Sequence, residues 1–296
     1  MLLVLTSFSL FLVRALAGGA NTFISVFHLH GADLFMDFFN SIRDASRGAG
    51  AYTDRHVMYP PMANLLLWLV SRLFPPEYLD TPGKYAGTWH YYPGAILAFL
   101  CLFAGVFLAF ALVLQREPYA RKKRRALTVA VLFSLPFVFL YERGNTVFLA
   151  LIFLVVFVQN YDSESKVARE AGLLSLAFAA SLKLYPAIFG AVLLTDKRYK
   201  EAGRCAIYGI LMLLLPSFVF GGPVSIVWSM KDALSYSGTT SLPFLEALAG
   251  YGVTEEASTL FLRCFYAFVF LFFAVSSLFP RRRFVTFAFC ACCCMM

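Results

Sequence analysis

The sequence predicts an all-α, polytopic membrane protein with about eight to ten transmembrane helices. Hydrophobic residues make up 60% of the chain and charged residues only 14%, whereas a soluble domain carries about 25% charged residues. The mean hydropathy is +0.73. Long apolar runs recur along the whole length, and a bilayer-spanning helix needs about 20 such residues. We expect residues 1–296 to form one integral-membrane domain.

The apolar runs define the predicted spans in chain order. They are 1–20, 92–115, 126–142, 145–160, 171–182, 184–195, 205–221, 257–279 and 284–296. The final run, FVTFAFCACCCMM, is typical of a span cut short, so we expect a C-terminally shortened chain. A further apolar helix at 60–75 is opened and closed by proline pairs, and it is short for a span.

The basic residues predict the orientation of these spans. The net charge of +8 is concentrated in short clusters between apolar runs, which indicates cytoplasmic anchors under the positive-inside rule and not a nucleic-acid-binding surface. The strongest cluster is 121–125. If 60–75 lies at the interface or re-enters without crossing, three polar segments share the outer face. These are 21–59, 143–145 and 183–186.

The first outer segment carries two carboxylates, Asp33 and Asp37, four residues apart. On a helix they would share a face. Apolar residues from Leu34 to Ile42 have amphipathic helical spacing, which predicts a helix lying along the membrane surface with its acids towards water. A carboxylate there can accept a proton from a sugar hydroxyl as a general base. The alternative is that Asp33 caps the helix and Asp37 is only solvated. His30 lies in the same segment.

The other two outer segments carry cations. Arg143 and Asn145 flank a glycine between two apolar runs, where they suit a phosphate and a sugar hydroxyl, or form an ordinary interfacial turn. Lys183 precedes Tyr185 and a proline inside the run 171–195. Two short helices meeting at this break fit better than one continuous or kinked helix. A lysine there is costly without an anionic partner, so it suits a lipid-linked phosphate, although a snorkelling lysine is the alternative.

Neither a metal site nor an organic cofactor is predicted. The seven cysteines lie in or beside apolar runs, and no CxxC pair meets a second one. The sequence leaves a divalent metal open.

The order of these motifs resembles glycosyltransferase family 87 of the GT-C superfamily. The motifs are D-L-x-x-D-F at 33–38, Y-P-P at 59–61, R-G-N at 143–145 and A-G-L-L-S-L-A-F-A-A-S-L-K-L-Y-P at 171–186. The resemblance extends over residues 30–205. The chain departs from the family in having R-G-N where G-Q-x-N is usual, and phenylalanines where a tyrosine pair follows the acid.

The resemblance implies a GT-C fold and an inverting transfer of a hexose, typically mannose. The implied donor is a polyprenyl-phosphate sugar, the acceptor is a glycolipid or glycan, and membrane lipids surround the chain. Asp33 is the first choice for the general base, with Asp37 close behind. Substrate-binding roles are implied for Lys183, Arg143, Asn145, Tyr59, Tyr185 and His30.

Two other functions compete with this interpretation. Helices broken by polar residues are also typical of transporters and lipid flippases, but those breaks lie near the bilayer midplane and often in inverted repeats. The breaks predicted here lie at the outer ends of helices, and no repeat is visible. A non-catalytic membrane scaffold is the third hypothesis, and it would tolerate alanine at the two acids and at Lys183.

Overall fold

A computed structural model describes residues 35–55, 57–79, 93–116 and 120–236, with residue 13 and isolated positions from 252 to 271. Every regular element within the four continuous ranges is helical, which confirms the all-α class there. The predicted spans 1–20, 257–279 and 284–296 lie wholly or mostly outside the described residues.

The N-terminal part contains two helices that lie side by side, α1 (Met36–Ser46) and α3 (Pro61–Ser71). Two short helices accompany them, α2 (Gly50–Thr53) and α4 (Pro76–Leu79). The apolar face of α1 is buried in protein, not laid on a membrane surface: Phe38, Phe39 and Ile42 are at most 2% exposed. Aromatic rings pack this face, with Phe38 edge-on to Phe99 at a centroid distance of 5.2 Å.

Helix α1 starts later than the sequence pattern predicts. Phe35 precedes it with a left-handed backbone, φ 59°, and α1 begins at Met36. Asp33 lies outside the described residues, so a helical face shared by the two acids stays a prediction. The helix predicted at 60–75 is shorter in the structure, because α3 ends at Ser71 and the separate helix α4 follows it.

The remaining helices form the body of the protein. They are α5 (Pro93–Leu114), α6 (Arg121–Leu132), α7 (Leu135–Arg143), α8 (Val147–Asn160), α9 (Lys166–Leu182), α10 (Ala191–Thr195), α11 (Tyr199–Ser217) and α12 (Val224–Tyr236), with 3₁₀ helices at Tyr185–Gly190 and Phe218–Phe220. Helix α12 lies between the predicted spans 205–221 and 257–279, where the apolar runs predicted no helix.

The predicted span 126–142 is two helices. Ser134 is extended (ψ 151°) and breaks the run, and Pro136 follows in the first turn of α7. Proline has no N–H to continue the hydrogen-bond ladder from the preceding helix. Helix α6 also begins earlier than predicted, at Arg121 within the basic cluster.

The predicted break at Lys183 is present. Helix α9 ends at Leu182, and Lys183 has an extended backbone with φ −146° and ψ 132°. The chain resumes as the 3₁₀ helix Tyr185–Gly190 followed by α10, and Pro186 lies in the first turn of that 3₁₀ helix. Helix α9 begins earlier than predicted, at Lys166, where the Ser165 side chain caps it by accepting from the N–H of Ala168.

Helix α8 connects two chemically different ends of the bundle and is about 21 Å long at 1.5 Å per residue. At its far end Gln159 donates to the Val113 carbonyl at 3.1 Å, and Arg198 donates to the Tyr161 carbonyl. An ion pair between Arg204 and Glu170, 2.6 Å, joins α11 to α9 at this far end. The near end of α8 follows the Arg143–Asn145 turn.

Two helices in the described part are long and apolar enough to cross a membrane, Pro93–Leu114 and Tyr199–Phe220. Large apolar side chains on both are exposed in the protein alone, for example Leu97 and Leu215, each 63% exposed. An exposed apolar face of this kind suits lipid better than water. The other apolar helices in the described ranges are shorter.

Candidate active site

The carboxylate of Asp37 is held by two side chains from the turn between α7 and α8. Arg143 donates from Nη2 to Oδ1 at 2.8 Å, and Asn145 donates from Nδ2 to Oδ2 at 2.8 Å. The partners are 106 and 108 residues away along the chain. Asn145 is itself oriented, because its Oδ1 accepts from the backbone N–H of Val147 at 3.0 Å.

Gly144 allows this turn to approach α1 closely. It has a left-handed backbone with φ 67°, and a Cβ placed there would lie 2.9 Å from Phe38 Cβ and 3.1 Å from the Phe99 ring. The backbone N–H of Phe35 also donates to the carbonyl of Glu142 at 2.8 Å. A residue larger than glycine would push the turn away from Asp37, which explains the middle residue of R-G-N.

Lys183 lies over the ring of Tyr59, with Nζ 4.1 Å from the ring centroid. Loss of hydration lowers the pKa of Lys183 to about 8, and the negative charge of Asp37 opposes this shift. The lysine, which follows the end of α9, is therefore in electrostatic reach of the acid on α1. A partly desolvated ammonium beside an aromatic face is well suited to receive an anion.

Tyr59 links Lys183, which lies over its ring, to the Asp37–Arg143 pair, whose charges act on its hydroxyl. Burial raises the pKa of its hydroxyl, and the charge of Asp37 adds to that rise. A hydrogen bond with Ser41 and the charge of Arg143 lower this pKa, whereas the electrostatic interaction with Tyr185 raises it. The Tyr59 hydroxyl is thus within electrostatic reach of both the acid and the arginine.

A buried hydrogen-bond network fixes the backbone of Tyr59. The hydroxyl of Tyr52 donates to the Tyr59 carbonyl at 2.8 Å, and Asn64 Nδ2 donates to the Tyr52 hydroxyl at 2.7 Å. Tyr52 and Asn64 are almost fully buried. From α12, Ser229 Oγ donates to the Met58 carbonyl at 3.2 Å.

Three supporting residues were missed by sequence reasoning: Ser41, Asn64 and Ser229. The signal for Asn64 was present, since a lone amide in an apolar helix just after a proline pair needs buried partners. Ser41 and Ser229 carried no comparable signal.

The structure brings together six of the residues predicted from the sequence. They are Asp37, Tyr59, Arg143, Asn145, Lys183 and Tyr185. Asp33 and His30 lie outside the described residues. Within the described ranges no three His, Cys, Asp or Glu side chains are grouped so as to hold a metal ion.

A family model for glycosyltransferase family 87 matches residues 57–296, most of the chain. The protein belongs to glycosyltransferase family 87. It is accordingly a membrane glycosyltransferase that uses a sugar donor and an acceptor, which favours this function over the transporter and scaffold alternatives. The match includes Tyr59, Arg143, Asn145 and Lys183 and begins after Asp37.

The family match extends further towards the C-terminus than the resemblance seen in the sequence. That resemblance ended near residue 205, whereas the match continues to residue 296. Comparisons with curated proteins and with solved structures give no match.

Proposed function

We propose that this family 87 enzyme transfers mannose from a polyprenyl-phosphate donor to a hydroxyl of a glycolipid or glycan acceptor, with inversion at the anomeric carbon. One observation carries the proposal. A carboxylate, two cations and an amide from three separate segments meet in one place, as Asp37, Arg143 with Asn145, and Lys183.

The proposed reaction needs one base and one anion site. The acceptor oxygen forms a bond to the anomeric carbon while the bond from that carbon to the donor phosphate oxygen breaks. The acceptor proton passes to an aspartate, either Asp33 or Asp37, and polyprenyl phosphate leaves as an anion. Lys183 and Arg143 offset the charge that develops on that phosphate, an effect that is usually a large part of catalysis.

Asp37 and the donor phosphate compete for Arg143 in this scheme. Without donor, Arg143 is 2.8 Å from the Asp37 carboxylate. A phosphate arriving beside Lys183 attracts the same guanidinium, because arginine binds phosphate in a bidentate manner. The carboxylate then gives up one hydrogen bond and gains an oxygen free to accept a proton. Asn145 keeps Asp37 in position through the second oxygen.

The arrangement of charge supports an active site on the outer face of a multi-pass cell-membrane protein. Asp37 and Lys183 lie at one end of α8 and α9, and the basic residues near Arg198 and Arg204 lie at the other. Cytoplasmic loops carry the excess of basic residues. Donor sugar and acceptor would then meet outside the bilayer, at the membrane surface.

The test is sugar transfer from polyprenyl-phosphate-mannose in membranes that contain the wild-type chain, Asp33→Asn or Asp37→Asn. Asp44→Asn is the matched control, because Asp44 lies in the same helix as Asp37, outside the site, with an oxygen 3.9 Å from Arg55 Nε. One of the first two variants should lose transfer by about a hundredfold or more, at equal expression, while Asp44→Asn stays active.

Two results would contradict the proposal. Equal transfer by the wild type and both acid variants would exclude both acids as the base. A wild-type chain that is inactive with polyprenyl-phosphate-mannose but active with another lipid-linked sugar would change the donor sugar and leave the site assignment in place.

A further inference from the structure

The buried face of α12 is polar, whereas its outer face is apolar. Ser225 and Ser229 lie one turn apart and are 3% and 4% exposed, while Val224, Val227 and Met230 are exposed. A helix that packs on a protein core in water has the opposite arrangement, with its apolar side inward. Burial of apolar surface therefore does not explain the two inward serines.

The two serines differ in their hydrogen bonds. Ser229 Oγ lies 3.2 Å from the Met58 carbonyl oxygen and 3.4 Å from the Tyr59 carbonyl oxygen, so its single proton is shared between them. Ser225 Oγ is buried and has no hydrogen-bond partner among the residues that the structure describes. The serines thus form a matched pair, of which Ser229 is the one that reaches the candidate active site.

The Tyr59 carbonyl takes its hydrogen bonds from side chains. Tyr59 precedes Pro60 in the non-helical stretch between α2 and α3, and within the described ranges no backbone N–H donates to its carbonyl. The donors are the Tyr52 hydroxyl at 2.8 Å, Asn64 Nδ2 at 3.4 Å and Ser229 Oγ. Outside regular secondary structure, such side-chain bonds fix where the backbone lies. Three helices, α2, α3 and α12, therefore hold this one carbonyl.

The Tyr59 side chain is held at both ends. Its hydroxyl is hydrogen-bonded with Ser41 of α1, and its backbone is held at the carbonyl. Lys183 Nζ lies over the ring between these two ends, 4.1 Å from the centroid. The attraction between an ammonium and a ring depends on the cation lying over the ring face. A shift of the Tyr59 backbone would therefore change the surroundings of the ammonium.

The charged and titratable groups that act on this pair lie outside α12. Asp37 of α1 acts on Lys183, and Arg143 and Tyr185 act on the Tyr59 hydroxyl. An effect of Ser229 on the ammonium must therefore pass through the backbone of Tyr59.

We propose that Ser229 is a positioning residue for sugar transfer, which keeps the Tyr59 ring beneath the Lys183 ammonium by holding the Met58 and Tyr59 carbonyls. This inference rests on the proposed function, in which Lys183 receives the donor phosphate. Helix α12 is then part of the support of the site, although its own side chains contact neither the acid nor the lysine in this scheme.

The test compares the wild-type chain with Ser229→Ala, Tyr52→Phe and Ser225→Ala at a series of pH values around 8. Tyr52→Phe removes another donor to the same carbonyl, and Ser225→Ala is the matched control in the same buried face. Sugar transfer from polyprenyl-phosphate-mannose is measured in membranes. Acetylation of Lys183 by acetic anhydride is measured by mass spectrometry on the purified full-length chain. Acetylation needs no donor, and only the neutral amine reacts.

We expect Ser229→Ala to lower kcat/KM at pH 7 by about three- to tenfold. It should also move the fall in transfer and the rise in acetylation to higher pH. Loss of hydration lowers the pKa of Lys183, so an ammonium that a displaced ring leaves open to water should titrate closer to the ordinary pKa of lysine. Tyr52→Phe should move both profiles in the same direction, and Ser225→Ala should match the wild type.

An acetylation profile of Ser229→Ala that equals the wild-type profile would overturn the inference, whatever the loss of transfer. An equal shift in Ser225→Ala would overturn it as well. A shift confined to Ser229→Ala and Tyr52→Phe, with transfer that does not depend on pH near 8 in any chain, would retain the positioning contact and overturn the role of Lys183 in the proposed function. Thermal unfolding midpoints close to that of the wild type establish that the variants are folded.

Discussion

Lys183 and Tyr59 form a cation–π pair, with the ammonium 4.1 Å from the ring centroid. The pair joins the break after α9 to the segment that precedes α3, two regions far apart in the sequence. The negative charge of Asp37 acts to raise the pKa of both partners. The position of the lysine relative to the acid thus depends on where the tyrosine ring is held.

Sugar transfer should fall as the pH rises through about 8. The pKa of Lys183 is lowered to about 8 by loss of hydration, so the ammonium is present below that pH and lost above it. A bound phosphate needs the charged form. Rate measurements from pH 6 to pH 10 check this expectation.

Lys183→Arg is the control for this pH profile. Arginine remains charged throughout the range, so activity that survives in this variant should no longer fall near pH 8. A wild-type profile that is flat across pH 8, or an unchanged fall in Lys183→Arg, would contradict the assignment of the titration to Lys183.

Arg143→Gln should lower kcat/KM for sugar transfer by about a hundredfold, the usual effect of removing a group that stabilises transition-state charge. Arg55→Gln serves as control, since Arg55 lies 3.9 Å from Asp44 and outside the site. If both variants lost the same modest amount of activity, a specific role for Arg143 would be wrong.

Gly144→Ala should destabilise the protein by about 1–3 kcal/mol, because the methyl group would lie 2.9 Å from Phe38 Cβ at a left-handed backbone position. Gly209→Ala is the matched control: it lies in α11 with no atom within 4 Å of the added carbon, so it should be neutral or stabilising by up to about 1 kcal/mol. Unfolding in detergent measures both. Equal stabilities would refute the close approach of the turn.

Tyr52→Phe and Asn64→Ala should each destabilise the protein by about 1–3 kcal/mol, because each leaves a buried polar partner without its hydrogen bond. The double variant should cost less than the sum, with a coupling of about 0.5–3 kcal/mol. Strict additivity would contradict the network around the Tyr59 carbonyl. Phe220→Leu is a suitable control for packing, since the Phe220 ring meets Tyr52 edge-on at 5.8 Å.

The sequence was sufficient for the local features of the site. The Lys-Leu-Tyr-Pro break was predictable because a charged residue and a proline interrupt an apolar helix wherever they occur together. The basic clusters predicted that Asp37, Arg143 and Lys183 share the outer face of the membrane. The structure brings the three close together, and the membrane side on which they lie stays a prediction.

Features that depend on packing between distant segments were not predictable. The direct bond from Asp37 to Arg143 spans 106 residues and depends on the contact of α1 with α7, which no local pattern encodes. The left-handed residue Phe35 is an unusual conformation for a bulky side chain, so the helix start was misplaced. The break at Ser134 was missed because apolar periodicity continues through it.

Two kinds of selection act on the same three residues of the Arg143-Gly144-Asn145 turn. Its outer residues position the acid, and its central residue permits the contact that brings the acid there. A substitution that loosens the turn would therefore reduce activity and fold stability together. A second substitution elsewhere that restores stability would not restore activity. Natural variation at this turn should be narrower than at Arg121, Lys122 and Arg125, the exposed arginines and lysine at the start and in the first turns of α6.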